Sequence, residues 1–201
     1  MNWFWRKWEN RKPTVSQYPT LQTERLVLRM FDLCDTVDVF AYAQNPLVGP
    51  MAGWAPHKSI EESRHVVQHF IQNGDVWAIV EKRSGRVIGS VGLHVDTKRA
   101  VENARMIGYA LGEHHWGQGY ATEAAKAVLR FAFEELQCPV VSAYHFPKNA
   151  QSKRVIKKLG MTQEGTLRMA SVSPDGTVLD EVCYSITRAE YLAHSDTPPK
   201  A

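Results

Sequence analysis

The chain is poor in cysteine, and its few cysteines form no recognisable pattern. Cys34, Cys138 and Cys183 are scattered along 201 residues, and no two of them have the C-x-x-C spacing of a zinc or redox motif. A disulfide framework would need a larger, regularly spaced set of cysteines. The sequence therefore predicts neither a disulfide scaffold nor a zinc site, and a reduced, cytoplasmic setting is the expected location.

Long hydrophobic runs and a large charge excess are also lacking. No segment approaches the roughly 18 apolar residues that cross a membrane, so no transmembrane segment is expected. The net charge is only +3, which is too small to indicate direct binding to nucleic acid. The opening residues, MNWFWRKW, lack the aliphatic core and the cleavage site of a signal peptide.

The N-terminal residues 1–20 form an aromatic and basic extension. Trp3, Trp5 and Trp8 lie among Arg and Lys residues, a mixture that suits docking on a membrane surface or on a partner. The interpretation we favour is that the extension packs over its own domain or over the second copy of a homodimer. Residues 21–191 suffice for one domain with a sizeable core, and residues 192–201 are expected to be a flexible tail.

The central part of the chain mixes strand and helix patterns, which predicts an α/β fold. Apolar alternation or short apolar runs predict strands over 23–29, 77–81, 87–95, 104–111, 140–146, 162–171 and 178–186. Helical spacing and capping residues predict helices over 31–45, 59–73, 122–136 and 149–159. A proline- and glycine-rich loop over 46–58 is expected to be irregular, and it carries Met51, Trp54 and His57.

One stretch, EHHWGQGYATE over 113–123, joins a predicted strand to a predicted helix. The first backbone N–H groups of a helix have no partner within it, and they carry the positive end of the helix dipole. Gly117 and Gly119 allow the backbone to approach a phosphate without a Cβ in the way. The stretch therefore predicts an anion site, and a plain turn into a helix is the alternative.

This stretch does not match the common nucleotide-binding loops. A P-loop needs Lys and then Ser or Thr after its last glycine, where this chain has Tyr120 and Ala121. The dinucleotide-binding fingerprint needs a third glycine, which Thr122 and Glu123 do not supply. Neither motif therefore indicates the ligand.

The strand followed by WGQGYATEA resembles the acetyl-CoA loop of the GNAT N-acetyltransferases. The segment NAQSKRVIKKLGM over 149–161 resembles their second signature, N-x-x-S/A-x-x-x-x-K-L-G-F, with Met161 in place of the aromatic residue. TERLVLR at 23–29 and VIG at 87–89 are similar to the branch that acetylates alanine or serine N-termini of ribosomal proteins. The resemblance covers roughly 21–191 and implies the GNAT fold, a mixed, mostly antiparallel sheet with helices on both faces.

The resemblance implies acetyl-CoA as cosubstrate. In the family the loop begins with Gln or Arg, where this chain has Trp116, a change that leaves the backbone amides free to hold the pyrophosphate. The family's conserved asparagine, here Asn149, holds the pantetheine arm. The implied coenzyme-binding residues are Tyr109, Ala110, Leu111, Gly117, Gln118, Gly119, Tyr120, Ala121, Thr122, Asn149 and Ser152.

The implied reaction is direct transfer of the acetyl group to a primary amine. Because a thioester is already activated, the reaction needs positioning above all, and it requires neither a metal nor a covalent nucleophile. The acceptor is either a protein N-terminus, such as that of a ribosomal protein, or a small amine, and the sequence does not separate the two.

The catalytic residues are less apparent, because two groups usual in the family are missing. The tyrosine that often protonates the thiolate is replaced by Ile156, and the carboxylate before the I-G-Y of the strand is replaced by Met106. Ser152, one turn into the second helix, and Tyr144, on the strand beside the expected cleft, are the candidate catalytic residues. The two losses leave open a proton path through water, or a non-catalytic module that binds and senses acyl-CoA.

Overall fold

The computed structural model describes residues 18–195, except the side chains of residues 194 and 195, and contains one eight-stranded sheet with helices on both faces. The strands are β1 (Leu21–Gln22), β2 (Leu26–Met30), β3 (Val76–Glu81), β4 (Val87–Val95), β5 (Arg105–Leu111), β6 (Val140–His145), β7 (Thr162–Val172) and β8 (Val178–Thr187). The α-helices are α1 (Thr36–Ala43), α2 (Gly49–Ala52), α3 (Ile60–Asn73), α4 (Tyr120–Arg130), α5 (Ala150–Lys158) and α6 (Arg188–Ser195). A π-helical turn, Phe131–Glu135, extends α4.

The two chain ends lie partly outside the described residues. Most of the predicted aromatic extension, residues 1–17, and the predicted tail from residue 196 onward belong to that part. Tyr18 stacks on Trp77 with ring centroids 4.7 Å apart, and the Trp77 indole donates to the Pro19 carbonyl at 2.8 Å. Tyr18 and Pro19 therefore pack on their own domain, while the interpretation of residues 1–17 stays a prediction. α6 reaches Ser195, so the first residues of the predicted tail are helical.

The sheet has the strand order β1-β2-β3-β4-β5-β6-β8-β7, and within residues 18–195 only β5 and β6 are parallel neighbours. The prediction of a mixed, mostly antiparallel sheet is therefore confirmed. Within residues 18–195, no helix is both long and apolar enough to cross a membrane.

Alternating side chains along the strands supply a core on each face of the sheet. In β3, Trp77 and Ile79 are fully buried in the cluster that contains α4 and α5. Their neighbours Ala78 and Val80 are buried on the other face, with side chains from α1 and α3. Burial of one aliphatic side chain such as Ile79 contributes about 1.5–3 kcal/mol to folding. The prediction of helices on both faces is thereby confirmed.

The ends of α3 follow their sequence signals, whereas α2 is a helix that the sequence did not predict. Ser59 caps α3 by accepting a hydrogen bond from the Glu62 N–H at 3.2 Å, and Gly74 ends that helix with φ +65°. The loop expected to be irregular instead contains the short helix α2. Pro50 lies in its first turn, where the missing N–H would have had no partner anyway, so the proline does not prevent the helix.

The sheet opens where its two parallel strands meet. β5 and β6 pair only through Arg105 with Val141 and Met106 with Ser142. Beyond these pairs the two strands part, and residues from both of them line a cleft of about 790 Å³. The cleft lies next to the turn that leads from β5 into α4, so the fold joins the predicted anion site to an opening in the sheet.

Candidate active site

The turn between β5 and α4 depends on its two glycines. Gly117 has φ +75° and Gly119 has φ +85°, a backbone region that residues with a Cβ rarely adopt. Gly119 is the N-cap of α4 and offers no side chain to its N–H groups, and both glycines line the cleft. The first N–H groups of α4 therefore have no side-chain cap and stand at the cleft, as an anion site requires.

The side chains of the turn fold back onto the turn itself. The Trp116 indole N–H donates to the Leu111 carbonyl at 2.7 Å and so fastens the turn to the end of β5. The Gln118 amide donates to the His114 carbonyl at 2.9 Å. Trp116 therefore has a structural role in place of the usual Gln or Arg. The Gln118 side chain packs back on the turn, and Gln118 does not line the cleft.

A half-buried carboxylate, Glu123, holds the start of α4 against the strands β1 and β2. Glu123 accepts from the Thr23 hydroxyl at 2.6 Å, from the Arg25 N–H at 2.9 Å and from the Arg25 guanidinium at 2.7 Å. Burial alone would raise the pKa of Glu123, but these hydrogen bonds outweigh it and lower the pKa. Arg25 also donates to the Gln118 carbonyl at 2.9 Å. We call Thr23, Arg25 and Glu123 the clasp, because they join α4, the turn and the β1–β2 arm.

Tyr120 contributes its backbone to the turn and its side chain to the core. The ring is 7% exposed, its hydroxyl donates to Glu81 at 2.7 Å, and the Arg25 guanidinium lies 4.3 Å from the ring centroid. The first residue of α4 is thus locked in place from two sides, which fixes the direction of its N–H group.

Asn149 is the N-cap of α5, and both ends of its amide are engaged. Its Oδ1 accepts from the Ser152 N–H at 2.9 Å, and its Nδ2 donates to the Met51 carbonyl at 3.0 Å. Asn149 therefore caps α5 with its side chain. Nδ2 carries a second hydrogen, and Asn149 lines the cleft, so its contact with the pantetheine arm stays a prediction.

Ser152 of α5 and Tyr109 of β5 are in contact beside the cleft. The two hydroxyl oxygens are 3.0 Å apart, and the Tyr109 hydroxyl also lies 3.2 Å from the Ser152 carbonyl. Burial raises the pKa of Tyr109 to about 12, so the phenol stays protonated. Sequence reasoning named both residues but did not join them, because they are 43 positions apart.

The other candidate, Tyr144, lies on the opposite face of the sheet. Side chains alternate along β6, and Ala143 belongs to the core beneath α4 and α5, so Tyr144 and Ser142 point to the α1–α3 side. The Tyr144 hydroxyl donates to the buried Asp96 at 2.8 Å, and Lys98 Nζ lies 3.8 Å from the ring centroid. Burial first, and then the Asp96 charge, raise the pKa of Tyr144. The structure therefore does not bring Ser152 and Tyr144 together.

The two residues that replace the usual family groups have no proton to give or take. Ile156 is fully buried in the core that contains α4 and α5. Met106 lies on the α1–α3 face, opposite His94 of β4 in the register of the sheet. His94 forms a pair with Asp75, with Nδ1 and Oδ2 2.7 Å apart. Sequence reasoning missed this pair, although the position of His94, two residues after Gly92 on one face of a strand, was a signal that could have found it.

The loop over 46–58 also lines the cleft. Met51, Trp54 and His57 all contact it on the α1–α3 side. His57 is 8% exposed, its Nδ1 lies 2.8 Å from the Ser63 hydroxyl, and its ring lies 5.2 Å from that of Trp54. Burial lowers the pKa of His57, which favours the neutral imidazole.

Comparison with known proteins agrees with this geometry. The profile of the acetyltransferase (GNAT) domain matches residues 25–162. The uncharacterized N-acetyltransferase YoaA of Bacillus subtilis is 30% identical over 176 residues, which cover 85% of this chain and 98% of YoaA.

Two solved structures show the same architecture. A GNAT-family acetyltransferase from Bacillus anthracis has a TM-score of 0.77 at 26% identity, covering 86% of this chain and 100% of that one. The ribosomal-protein-S5-alanine acetyltransferase of Vibrio fischeri has a TM-score of 0.70 at 20% identity, covering 87% and 99% of the two chains, and shows a shared fold alone. Because the family match spans well over half of the chain and contains both the glycine turn and α5, the chain belongs to the GNAT family of acetyltransferases.

Proposed function

We propose that the protein transfers the acetyl group of acetyl-CoA to a primary amine directly, within a ternary complex. GNAT acetyltransferases use acetyl-CoA, and the observation that carries the proposal is the cleft between the parted strands β5 and β6. Its lining comes from α4 and α5 on one face of the sheet and from α1, α2 and α3 on the other. Acetyl-CoA and the amine therefore have separate approaches to one opening.

The pyrophosphate of acetyl-CoA is proposed to bind at 117–122. Three features support this assignment: the uncapped N–H groups at the start of α4, the positive φ of both glycines, and the open space beside Gly117, where an added Cβ would meet no atom within 4 Å. Arg154 and Lys158 of α5 line the same cleft and add positive charge for the phosphates.

The pantetheine arm is proposed to run along the free edge of β5. β6 pairs with β5 only as far as Met106. Beyond that residue, the edge of β5 that faces β6 borders the cleft, and Tyr109, Ala110 and Leu111 lie there. Backbone groups at such an edge pair naturally with the amides of an extended ligand. Asn149, across the cleft on α5, would then contact the arm from the other side.

The chemistry asked of the chain is modest. The neutral amine attacks the thioester carbon, a C–N bond forms, and a backbone N–H at the β5 edge would stabilise the developing oxyanion. The C–S bond then breaks, and the departing sulfur takes a proton. We assign Ser152 as the hydroxyl nearest that sulfur, with Tyr109 orienting it through their 3.0 Å contact.

Two classes of acceptor fit the proposal, a protein N-terminus such as that of a ribosomal protein and a small amine. The substrate in the name of the Vibrio fischeri enzyme belongs to that enzyme, whose likeness to this chain is one of fold. A homodimer and a cytoplasmic location, both expected from the sequence, stay predictions.

The test is release of CoA from acetyl-CoA by the full chain with a panel of small primary amines and of peptides with N-terminal Ala or Ser. Peptides with acetylated N-termini and no lysine are the matched controls. We expect release with at least one amine and none with the blocked peptides. Binding of acetyl-CoA without turnover of any amine would contradict the proposal and support an acyl-CoA-sensing module instead.

A further inference from the structure

We propose that His94, held by Asp75, is the general base that removes the proton from the acceptor amine. This inference rests on the amine acetylation proposed above, and it adds a residue that neither the family signatures nor the motifs of this chain point to. The argument starts from where His94 lies in the sheet.

His94 lies beside the point where the sheet opens. In β4 it pairs with Met106, the last residue through which β5 pairs with β6. Paired residues of neighbouring strands project to the same face, so His94 shares the face of Met106 and Tyr144, opposite that of Tyr109. His94 also lines the cleft. The imidazole therefore stands on the side of the opening proposed for the amine. This is the face that carries Met106, the residue that replaces the carboxylate usual in the family.

The His94 ring lies over a part of the sheet where glycines leave no side chains. A Cβ added to Gly92 would overlap the Nε2 and Cε1 atoms of His94, so the imidazole lies over Gly92. Gly92 pairs with Gly108, which lies two residues into the cleft beyond Met106. Because neither glycine has a side chain, the surface of the sheet is bare between the His94 ring and the part of β5 that borders the cleft.

The contact with Asp75 sets the tautomer of the ring. Asp75 Oδ2 lies 2.7 Å from Nδ1, and the His94 and Asp75 side chains are only 14% and 25% exposed. A carboxylate that accepts from Nδ1–H leaves the lone pair on Nε2, and it stabilises the imidazolium that forms when Nε2 takes a proton. Burial opposes the charge of Asp75, yet its hydrogen bond with His94 helps to lower its pKa. His69 of α3 is the other titratable group that acts on this pair.

The remaining carboxylates on this face are already engaged as acceptors. Asp96 accepts from Ser142 and Tyr144 and lies 3.2 Å from the Arg99 guanidinium. Glu181 accepts from Ser171 and forms an ion pair with Lys98. A carboxylate stabilised by several donors is a weak base. The imidazole of His94, backed by Asp75, is thus a better-placed base than either of these carboxylates.

The proton balance of the step is complete. Nε2 takes one proton from the incoming ammonium, which gives a neutral amine and an imidazolium paired with Asp75. The amine attacks the thioester, and the tetrahedral intermediate loses CoA as its nitrogen gives up a second proton, which the sulfur receives. The imidazolium then releases its proton to water, so that each cycle yields one amide, one CoA thiol and one solvent proton.

The decisive variant is His94→Gln, which keeps a polar side chain but has no basic nitrogen. We expect kcat/KM for the best amine to fall by about 100-fold, within the usual range for general acid–base catalysis, with acetyl-CoA affinity unchanged. The variant should also differ from the wild type in the pH dependence of kcat/KM, because the group proposed to accept the proton of the amine is gone. Asp75→Asn should lower kcat by about tenfold and leave KM nearly unchanged, as expected of a positioning residue.

Two controls separate catalysis from structure. His65→Gln changes an exposed histidine of α3 that does not line the cleft, and it should leave kcat/KM within about twofold of the wild type. His94→Ala should recover part of the lost rate when free imidazole is added, since the small molecule can occupy the space over Gly92.

The two proposals fail in different ways. An active wild type whose His94→Gln variant keeps its rate and its pH profile would refute the base assignment alone. Absence of rescue in a folded His94→Ala variant would count against it as well. A wild type that binds acetyl-CoA but acetylates no amine would refute the proposed function and this inference together.

Discussion

Single residues at the glycine turn allow the proposed coenzyme site to be tested. Gly119 has φ +85°, and Gly176 in the turn between β7 and β8 has φ +87° but does not line the cleft. The two positions therefore impose nearly the same backbone strain on a substituted residue, while only one of them faces the proposed pyrophosphate.

We predict that Gly119→Val abolishes or weakens acetyl-CoA binding by at least tenfold, because the added side chain, whose Cβ would lie 3.5 Å from the Arg25 guanidinium, would crowd the turn proposed to hold the pyrophosphate. Gly176→Val is the control, and each variant should lose about 1–2 kcal/mol of stability from the left-handed backbone. Calorimetric titration with acetyl-CoA and thermal melts measure the two effects. A folded Gly119→Val protein with the wild-type dissociation constant would refute the assignment of the turn.

Asn149 has two roles that different substitutions separate. Asn149→Ser keeps a capping oxygen for α5 but removes the amide, so we expect nearly unchanged stability and coenzyme binding weaker by about 1–2 kcal/mol. Ser59→Ala, which removes the cap of α3, should do the reverse: about 1 kcal/mol less stable, with the same acetyl-CoA affinity. Equal affinity in Asn149→Ser and wild type would make Asn149 only a helix cap.

Ser152 is predicted to act on the leaving sulfur. Ser152→Ala should lower kcat about tenfold, or ~1.4 kcal/mol, while acetyl-CoA binds nearly as before. Tyr109→Phe, which removes the hydroxyl 3.0 Å from Ser152, should have a smaller effect in the same direction. Steady-state rates with an accepted amine give the measurement. An unchanged kcat in Ser152→Ala, when chemistry limits turnover, would assign the proton to water.

At the scale of elements, the clasp links α4 to the β1–β2 arm. The lowered pKa of Glu123 means that its ionised form stabilises the fold at any pH above its unfolded pKa, about 4.5. That contribution is lost as the pH falls through the lower folded-state pKa. Arg25, which is paired with Glu123, also donates a hydrogen bond to the Gln118 carbonyl in the glycine turn. We therefore expect the negative charge of Glu123 to support coenzyme binding as well.

We predict that Glu123→Gln destabilises the protein by about 1–3 kcal/mol at pH 7 and that the difference from wild type shrinks below about pH 4.5. Acetyl-CoA binding should weaken too, because the start of α4 loses its anchor. Urea unfolding of both proteins from pH 3 to pH 7 isolates this carboxylate from the others. A difference in stability that stays constant across this range would show that the charge of Glu123 contributes nothing.

The elements that were predictable are those whose signals are local. β4 spans residues 87–95 as predicted, because a run of small and apolar residues ends at polar turns on both sides. Ser59 and Gly74 bound α3 for reasons that lie within a few residues of each end. α2 escaped prediction because proline and glycine look like breakers, although a proline in the first turn of a helix costs it no hydrogen bond.

The site was only partly predictable, and for a physical reason. The glycine turn and α5 each carry a contiguous motif, so their residues can be named from the sequence. The pairs Tyr109–Ser152 and Asp75–His94 join residues from different elements, and only the register of the sheet and the packing of α5 bring them together. The clasp is similar: Thr23 and Glu123 lie 100 positions apart, so their motifs were visible but their contact was not.

At the scale of the whole molecule, the sides proposed for the coenzyme and for the amine are the two opposite faces of the sheet. The proposed coenzyme residues Tyr109 and Ser152 lie on the α4–α5 side, and His94 and Tyr144 lie on the α1–α3 side. The opening between β5 and β6 is the passage between them. With this arrangement both substrates can be present together, and the acetyl group has no need of an intermediate carrier on the protein.

The cysteines agree with direct transfer. Among the described residues, Cys34 is exposed, Cys138 and Cys183 are buried, and none of the three lines the cleft. Ser152 does line the cleft, and its hydroxyl is hydrogen-bonded to the Tyr109 phenol. Because the raised pKa of Tyr109 keeps this phenol protonated, it does not act as a base toward the serine hydroxyl. A covalent acetyl-enzyme would need an activated nucleophile, and among the described residues neither the three cysteines nor Ser152 provides one.

We therefore predict sequential kinetics. Double-reciprocal plots of rate against amine concentration, at several fixed acetyl-CoA concentrations, should intersect instead of running parallel. Intact-protein mass spectrometry after incubation with acetyl-CoA alone, under quenching conditions that preserve thioesters and esters, should show no gain of one acetyl group. A Ser152→Ala variant with normal affinity would distinguish a chance surface modification from an acetyl-serine intermediate. Parallel lines, together with an acetyl group that the Ser152→Ala variant no longer acquires, would refute direct transfer, since the cleft would then hold a nucleophile whose activating base lies outside the hydrogen bonds described above.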